Sequence, residues 1–381
     1  MTVQMKKERV LVAMSGGVDS SVAALLLVEA GYEVIGVTMR LYSTEDQPRA
    51  RLSQGCCTDD DIDDAREVCH ILGIRHYVMN FEREFKEHVM DYFVNEYSRG
   101  KTPHPCLACN DKIKFDFLLR KSMALQADYI ATGHYAQIVD REGSKSLLCG
   151  IDGSKDQSYV LFGLGQDQLS SLLLPIGGYT KDEIRQVAKR GGLPVADKPD
   201  SQDICFIPTG DYKQFVSERV SAVPGDIVDS QGRLVGQHSG IEFFTVGQRK
   251  GLGIQSQTPT YVLGIDPDGH RVTVGSWDEL HNQSLWASGA KYIDGKVFAE
   301  PIKVMAKIRY KAPMAPATLV SHGSWVEIQF EEPQRAITPG QAVVFYHDGR
   351  VLGGAIIERF DASEECPDLA GCAQCLLPTA T

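Results

Sequence analysis

Along the first half of the chain, short apolar runs rich in β-branched residues alternate with amphipathic stretches. The runs are VLVAM (10–14), EVIGVTM (33–39), RHYVMNF (75–81) and DYIATGH (128–134), and each predicts a strand. Between them, the stretches from Ser21 to Ala30, near Asp60 to Leu72, from Phe85 to Ser98 and from Lys114 to Leu125 predict helices. Such alternation builds βαβ units, so the region reads as α/β with a doubly wound parallel sheet, binding ligands at the carboxyl ends of its strands. Asp182 to Arg190 predicts a further helix, closed by Gly191-Gly192 and Pro194.

After Phe206 the texture changes. GDIVDSQGRLVGQH (225–238) and GIDPDGHRVTVG (264–275) carry short strands broken by Gly, Pro and Asp-Gly turn signals. The pattern continues in KVMAKIRY (303–310), SWVEIQF (324–330) and QAVVFYHDGRVLGGAIIE (341–358). The expected organisation is an α/β domain over 1–206, a small β-rich central domain over 207–280 and a β-barrel or sandwich over 281–360. A tail over 361–381 carries Cys366, Cys372 and Cys375; three thiols without a fourth ligand make no defined metal site, and the tail is left unassigned. There is no internal repeat and no low-complexity segment.

At 381 residues the chain exceeds the size at which one core stops growing, which fits two or three domains. Charged residues are 23% and the apolar set 43%, an ordinary globular balance that excludes disordered and fibrous classes. The first nine residues are polar and charged and no stretch has the length of a membrane span, so a cytoplasmic protein without a membrane partner is expected. Ten cysteines in that compartment point to thiol chemistry or metal where they cluster, and to inert buried thiols elsewhere. The net charge of −11 disfavours unspecific attraction to a polyanion but leaves room for local basic patches.

Candidate chemistry begins at residues 10–20, VLVAMSGGVDS, where an apolar strand runs through paired glycines into a helix. Glycine lets backbone N–H groups approach an anion, and the helix N-terminus adds partial positive charge, so the stretch reads as a phosphate grip. It lacks the GxxxxGK[ST] pattern, has no lysine after the glycines, and does not fit G-x-G-x-x-G. AMSGGVDSS resembles the PP-loop of ATP pyrophosphatases, enzymes that split ATP into AMP and pyrophosphate. That resemblance implies a PP-loop, HUP-like domain using Mg²⁺-ATP. It implies nucleotide contacts from Ala13, Met14, Ser15, Gly16, Gly17, Val18, Asp19 and Ser20, with Met39 and Gly133.

A second constellation is TPHPCLACNDKIKF (102–115). A Cys-x-x-Cys in such a protein suggests redox chemistry or half of a metal site, and the flanking prolines and polar residues suggest an ordered loop. Cys205, in DSQDICFIP (200–208), stands where the α/β region gives way to the β domains. Together PCLACNDKIKF, ATGHYA (131–136), KDQSYVLFGL (155–164), DSQDICFI (200–207), FTVGQRKGLGI (244–254), KIRYKAP (307–313) and TPGQAVVFY (338–346) resemble the tRNA-specific 2-thiouridylase family. The likeness runs from the PP-loop to about Glu358. It implies a PP-loop domain, a small central domain and a C-terminal β-barrel.

The resemblance implies 2-thiolation of the wobble uridine, position 34 of tRNA: adenylation of O2, then sulfur transfer. Cys205 would hold a persulfide and Cys109 would be its partner thiol, with sulfur supplied by a relay protein fed by a cysteine desulfurase. Many members carry aspartate where this chain has Cys106, so the acid–base role of that position is open here. Cys106, Cys109 and Cys205 would alternatively offer three thiolates to a [4Fe-4S] cluster. Contacts to tRNA are implied for His104, Pro105, Cys106, His134, Lys155, Asp156, Gln157, Arg309, Tyr310 and Gln341; cations neutralise phosphates and Tyr stacks on a splayed base. Two rival readings are a PP-loop ligase that transfers nitrogen and a noncatalytic tRNA- or metal-binding protein. The acidic run Asp59-Asp60-Asp61, Asp63-Asp64 reads as capping a helix start, and Cys56, Cys57 and Cys69 as structural.

Overall fold

The computed structural model describes residues 7–42, 59–141, 143–200, 204–207 and 210–358; Cys56, Cys57 and the 361–381 tail lie outside the described residues. The N-terminal region is a five-stranded sheet of β1 (Arg9–Ala13), β2 (Glu33–Arg40), β3 (Arg75–Asn80), β4 (Tyr129–Ala131) and β7 (Leu172–Leu173), in the order β3-β2-β1-β4-β7 with every pairing parallel. Because side chains alternate along a strand, Val10 and Val12 enter one core and Leu11 and Ala13 the other. The first core packs under helices α1 (Val18–Glu29), α2 (Asp59–Ile71) and Lys181–Arg190, through residues such as Val22, Ala65 and Ile184. The second packs under the helices of residues 82–98 and 105–124, through Phe85, Phe93, Ile113 and Leu118. Two-sided burial explains why VLVA reads as an unbroken apolar run rather than an alternating one.

The cysteine segment is not the loop expected from its composition. A helix starts at Pro105, runs as wide π-helical turns from Cys109 to Leu118 and finishes over Leu119–Ala124. Pro105 occupies the first helical position, where its missing N–H costs nothing and its fixed φ suits the helix, and extended His104 precedes it (φ −112°, ψ 96°). A second π-helical stretch, Lys86–Met90, interrupts the helix over residues 82–98. Turns of this kind are frequent at functional sites.

β8 (Gly225–Asp229), β9 (Leu234–His238), β10 (Tyr261–Asp266) and β11 (Arg271–Gly275) form a central sheet in the order β10-β11-β8-β9. The last six strands are β12 (His281–Tyr292), β13 (Ile302–Lys307), β14 (Ala315–His322), β15 (Trp325–Arg335), β16 (Ala342–His347) and β17 (Arg350–Ile357). They close into a barrel, since β12 pairs with β17 from Ala287↔Ile357 to Tyr292↔Gly353. A hairpin from the first half of the chain, β5 (Ala136–Arg141) and β6 (Ser144–Cys149), joins it through Leu148↔Arg350. β16 is therefore buried on both faces: Val343 and Phe345 fill the barrel, while Ala342, Val344 and Tyr346 pack with Leu147, Tyr159 and Phe115 of the α/β region. The two regions share a core. No helix among the described residues is long and apolar enough to cross a membrane.

Gly177 seats this hairpin. A Cβ there would lie 1.7 Å from the Ala136 carbonyl oxygen and 2.4 Å from its carbon, both backbone atoms that cannot rotate away. Gly177→Ala is expected to lower stability by about 1–3 kcal/mol, the range of core overpacking, read as a lower midpoint in urea.

Candidate active site

At the end of β1, the Met14 N–H donates to the Val37 carbonyl at 2.8 Å and carries the chain into the glycine turn. Gly16 has φ +71°, and a Cβ on it would lie 2.3 Å from the Asp61 carbonyl oxygen. Gly17 is the extended N-cap of α1 and supplies no capping side chain. Ser20 and Ser21 turn inward: the Ser20 hydroxyl accepts from the Ser15 N–H at 3.1 Å, and the Ser21 hydroxyl donates to the Gly17 carbonyl at 2.8 Å. Ser15 is exposed, and Gly17 and Asp19 are half-buried, so the open side of the turn presents uncapped helix N–H groups suited to an anion. Gly133 closes the other wall; a Cβ there would come within 2.7 Å of Asp19 and Ser20 backbone atoms.

The cation missing from the loop's own sequence arrives from elsewhere in the chain. Lys181 Nζ lies 2.8 and 2.9 Å from the two Asp19 oxygens and 2.8 Å from Asp200 Oδ1. The Tyr135 hydroxyl donates to Asp19 at 2.7 Å. Asp200 also takes Lys155 at 2.8 Å and Arg185 at 3.2 Å. Burial alone would raise the Asp200 pKa, but the bonds from Lys155 and Lys181 outweigh it and bring it down to about 2. The stabilisation carried by this carboxylate is thus present above the ordinary range near pH 4 and lost as pH falls towards 2. Lys198 Nζ bonds the Gly16 carbonyl at 3.1 Å and Asp61 at 2.7 Å, and pairs with Asp64. The acidic run therefore does more than cap α2: two of its carboxylates hold the lysine that braces the glycine turn.

Of the cysteines, Cys106 is exposed and Cys109 and Cys205 are half-buried. Cys109 with Ala108, and Cys205 with Ile204, pack against one apolar cluster that includes Phe85, Phe93 and Phe206. The Tyr42 hydroxyl, just beyond β2, donates to the Cys205 carbonyl at 3.1 Å. Among the described residues no three His, Cys, Asp or Glu side chains are gathered as a metal ligand set. Cys106, Cys109 and Cys205 are thus not arranged as the thiolate group an iron–sulfur cluster needs. Cys69 sits in the first core, where burial pushes its thiol up to about 11 and keeps it protonated.

The residues carried over as tRNA contacts divide into two groups. His104, Tyr159 and Tyr310 form an aromatic cluster with ring centres about 6 Å apart, and Lys307 Nζ lies 5.9 and 5.8 Å from the two tyrosine rings. Burial lowers the His104 pKa to about 4, so its imidazole is neutral at pH 7, and its Nδ1 is buried without a partner. Burial likewise holds His134 well below the ordinary histidine range; its Nδ1 lies 2.6 Å from the Thr132 hydroxyl, and its ring tilts against Phe115 of the cysteine helix. Pro105 is buried, and Cys106 stands at the surface beside it.

The second group is bonded to the backbone around it. Asp156 is buried and accepts from the Gly150 and Ser158 N–H groups at 3.0 and 3.1 Å. Gln157 accepts from the Tyr135 N–H at 3.0 Å, and Gln341 donates to the Thr102 carbonyl at 2.7 Å. Arg309 donates to the Val246 and Ala336 carbonyls at 3.1 and 2.8 Å, joining the central sheet to the barrel. Asp156 is thus committed to the backbone, while Gln157, Arg309 and Gln341 make these bonds and stay half-buried. Met39 is buried in the second core at the end of β2. Lys181 and Lys198 lie outside every motif the sequence offers, whereas Tyr135 and Lys307 stand inside ATGHYA and KIRYKAP without an assigned role. One signal for Lys181 was available: a lysine opening a helix opposes the helix dipole, and such a position calls for a compensating anion.

Three family models cover the chain. They are described as a tRNA methyl transferase HUP domain over residues 8–209, a tRNA methyl transferase PRC-barrel domain over 213–276 and an aminomethyltransferase beta-barrel domain over 282–357. The tRNA-specific 2-thiouridylase MnmA of Carboxydothermus hydrogenoformans is 48% identical over 93% of this chain and 98% of its own length. That of Moorella thermoacetica is 50% identical over 91% of this chain and 99% of its own. The chain belongs to the tRNA-specific 2-thiouridylase family. Members of this family carry the PP-loop architecture, which brings ATP use with it. The family's organisation in three domains is the one seen here, with a parallel-sheet HUP domain, a central domain and a closed six-stranded barrel.

Proposed function

We propose that this protein converts the C2 carbonyl of the wobble uridine of tRNA to a thiocarbonyl at the expense of ATP. The observation that carries the proposal is the pairing of two features in one chain. One is a glycine-turn anion cradle braced by two lysines; the other is a pair of half-buried cysteines on a single apolar cluster. A nitrogen-transferring ligase would use the first and have no need of the second.

Uridine C2 lies between two nitrogens and is a sluggish electrophile, so activation must come first. Attack of O2 on the α-phosphorus forms an O–P bond while the P–O bond to the β-phosphate breaks; pyrophosphate leaves with the electron pair, and N3 gives up its proton to solvent. A persulfide on Cys205, supplied by a relay protein fed by a cysteine desulfurase, then acts as nucleophile. Its terminal sulfur bonds to C2 and AMP leaves with the oxygen. The Cys109 thiolate attacks Cys205 Sγ, the S–S bond breaks, and C2 keeps the sulfur while N3 regains a proton. In the other order, Cys109 frees the sulfur before it reaches C2. Either way a Cys109–Cys205 disulfide is left for external thiols to reduce. Half-burial at the edge of an apolar cluster keeps water from competing with the sulfur.

Mg²⁺ would reach the site on the triphosphate and neutralise its charge. The described residues form no all-protein cage for it, which suits an ion that keeps phosphate and water ligands. Ser15, Gly17 and Asp19 frame the open side of the cradle, and neutral His134 follows Gly133 on its far wall. Half-buried Tyr310, backed by fully buried Tyr159 and by His104, is the member of the aromatic cluster that would offer a stacking face to an unpaired base.

The test is incubation of the protein with Mg²⁺-ATP, a persulfide donor and unmodified tRNA, followed by nucleoside analysis. The expected products are 2-thiouridine at the wobble position with AMP and pyrophosphate in equal amount. No ATP-dependent 2-thiouridine under reducing, anaerobic conditions would overturn the proposal.

A further inference from the structure

The loop that resembles a nucleotide grip contains no lysine, yet a lysine ammonium sits against it. Lys181 comes from the start of a helix remote in sequence, and its side chain is only 10% exposed. Three features make this an unfavourable place for a cation with only a structural task. Burial strips it of water, the helix N-terminus it opens is already positive, and the Tyr135 ring 5.8 Å away gives it little solvation. It is held by Asp19, on the half-exposed first turn of α1, and by Asp200. Asp200 in turn is shared with Lys155 and Arg185, and Asp152 accepts from the Lys181 N–H at 3.0 Å, so Lys181 shares its carboxylates with two further cations and does not hold Asp200 alone. The other lysine at the loop, Lys198, is bound on the α2 side to the Gly16 carbonyl and to Asp61 and Asp64.

We propose that Lys181 is the cation that takes the β- and γ-phosphates of ATP in this site. Asp19 and Asp200 hold it pre-aligned until the nucleotide arrives. The inference rests on the ATP-dependent reading above and adds a residue to it. When AMP is transferred, the bond from the α-phosphorus to the bridging oxygen breaks and its electron pair goes to pyrophosphate, where negative charge grows. An ammonium fixed beside the helix N-terminus stabilises that charge with no reorganisation, the role a P-loop assigns to a lysine within its own motif. The two carboxylates keep the site from collapsing when it is empty. Because Lys155 shares Asp200 with Lys181, a tRNA phosphate that draws Lys155 away leaves Asp200 more fully to Lys181.

The experiment compares the full chain with Lys181→Met and Lys181→Arg by titration with ATP, pyrophosphate and AMP. The expected result is that Lys181→Met weakens ATP and pyrophosphate by about 30-fold or more and AMP by less than about three-fold, as one lost charge-assisted contact would. Lys181→Arg should recover most of the ATP affinity. AMP serves as the internal control for folding, since it occupies the site without reaching the lysine. Unchanged ATP affinity in Lys181→Met, or an AMP loss equal to the ATP loss, would overturn the assignment and leave Lys181 a structural ion pair. A parent protein that binds no ATP would overturn both this inference and the reading beneath it. A parent that binds ATP through Lys181 but makes no 2-thiouridine would overturn the RNA chemistry alone.

Discussion

Cys205→Ser makes no 2-thiouridine from tRNA, ATP and a persulfide donor, while still releasing pyrophosphate when ATP and tRNA are supplied. The loss is about 10⁴-fold or more, the scale on which removal of a covalent nucleophile acts. Serine fits the half-buried position at the edge of the Phe85–Phe93–Phe206 cluster, so the change removes sulfur chemistry with little effect on packing. Its hydroxyl cannot carry a sulfane sulfur. Cys109→Ser loses 2-thiouridine to the same degree but differs in one readable way: with labelled persulfide donor the variant still takes up sulfur on Cys205, and Cys205→Ser does not. Gel analysis of the label under non-reducing conditions separates the two roles. If both variants load sulfur equally, or if either still thiolates tRNA, the assignment of carrier and partner is wrong.

Gly16→Ala loses ATP affinity by about 30-fold or more, because two costs add at this position. The left-handed φ of +71° is worth about 1–2 kcal/mol against any L side chain, and the Cβ would meet the Asp61 backbone at 2.3 Å, a clash worth about 1–3 kcal/mol more. The loop can escape only by moving away from α2, which also breaks the bond from Lys198 to the Gly16 carbonyl. A comparison with Gly31→Ala isolates the clash. Gly31 has φ +90° but nothing within 4 Å of the added carbon, so that variant should lose some stability and no ATP affinity. Equal ATP affinity in the two variants, by isothermal titration, would mean that the cradle does not depend on its seat against α2.

The rhythm of the α/β region was open to reading because its physical cause is local. Strands buried on both faces must be apolar throughout, as Val10, Leu11 and Val12 are, and helices announce their ends with Gly191-Gly192. The cysteine segment misled because its two prolines and polar residues look like loop punctuation. Only Pro105's place at the first helical position turns the same residues into a helix start. The hairpin over 136–149 went unread for a different reason: its partner strand is Arg350–Ile357, and no window of sequence contains both. The candidate site shows the same division. Gly16, Gly17, Cys109 and Cys205 stand in compact motifs, whereas Lys181 and Lys198 acquire meaning only when the fold brings them to Asp19 and Gly16. Asp156 and Gln341 reach the site through a motif likeness, yet their side chains are occupied with the backbone of Gly150, Ser158 and Thr102.

The hairpin's partnership also orders events during synthesis. Leu148 waits for Arg350, so its edge stays open while some two hundred residues emerge from the ribosome. An unpaired strand edge on a nascent chain is a template for the wrong neighbour. The ATP-grasping half cannot complete its own surface until the barrel is nearly finished. A premature stop anywhere in the barrel would therefore release a chain prone to aggregate, rather than a smaller working enzyme.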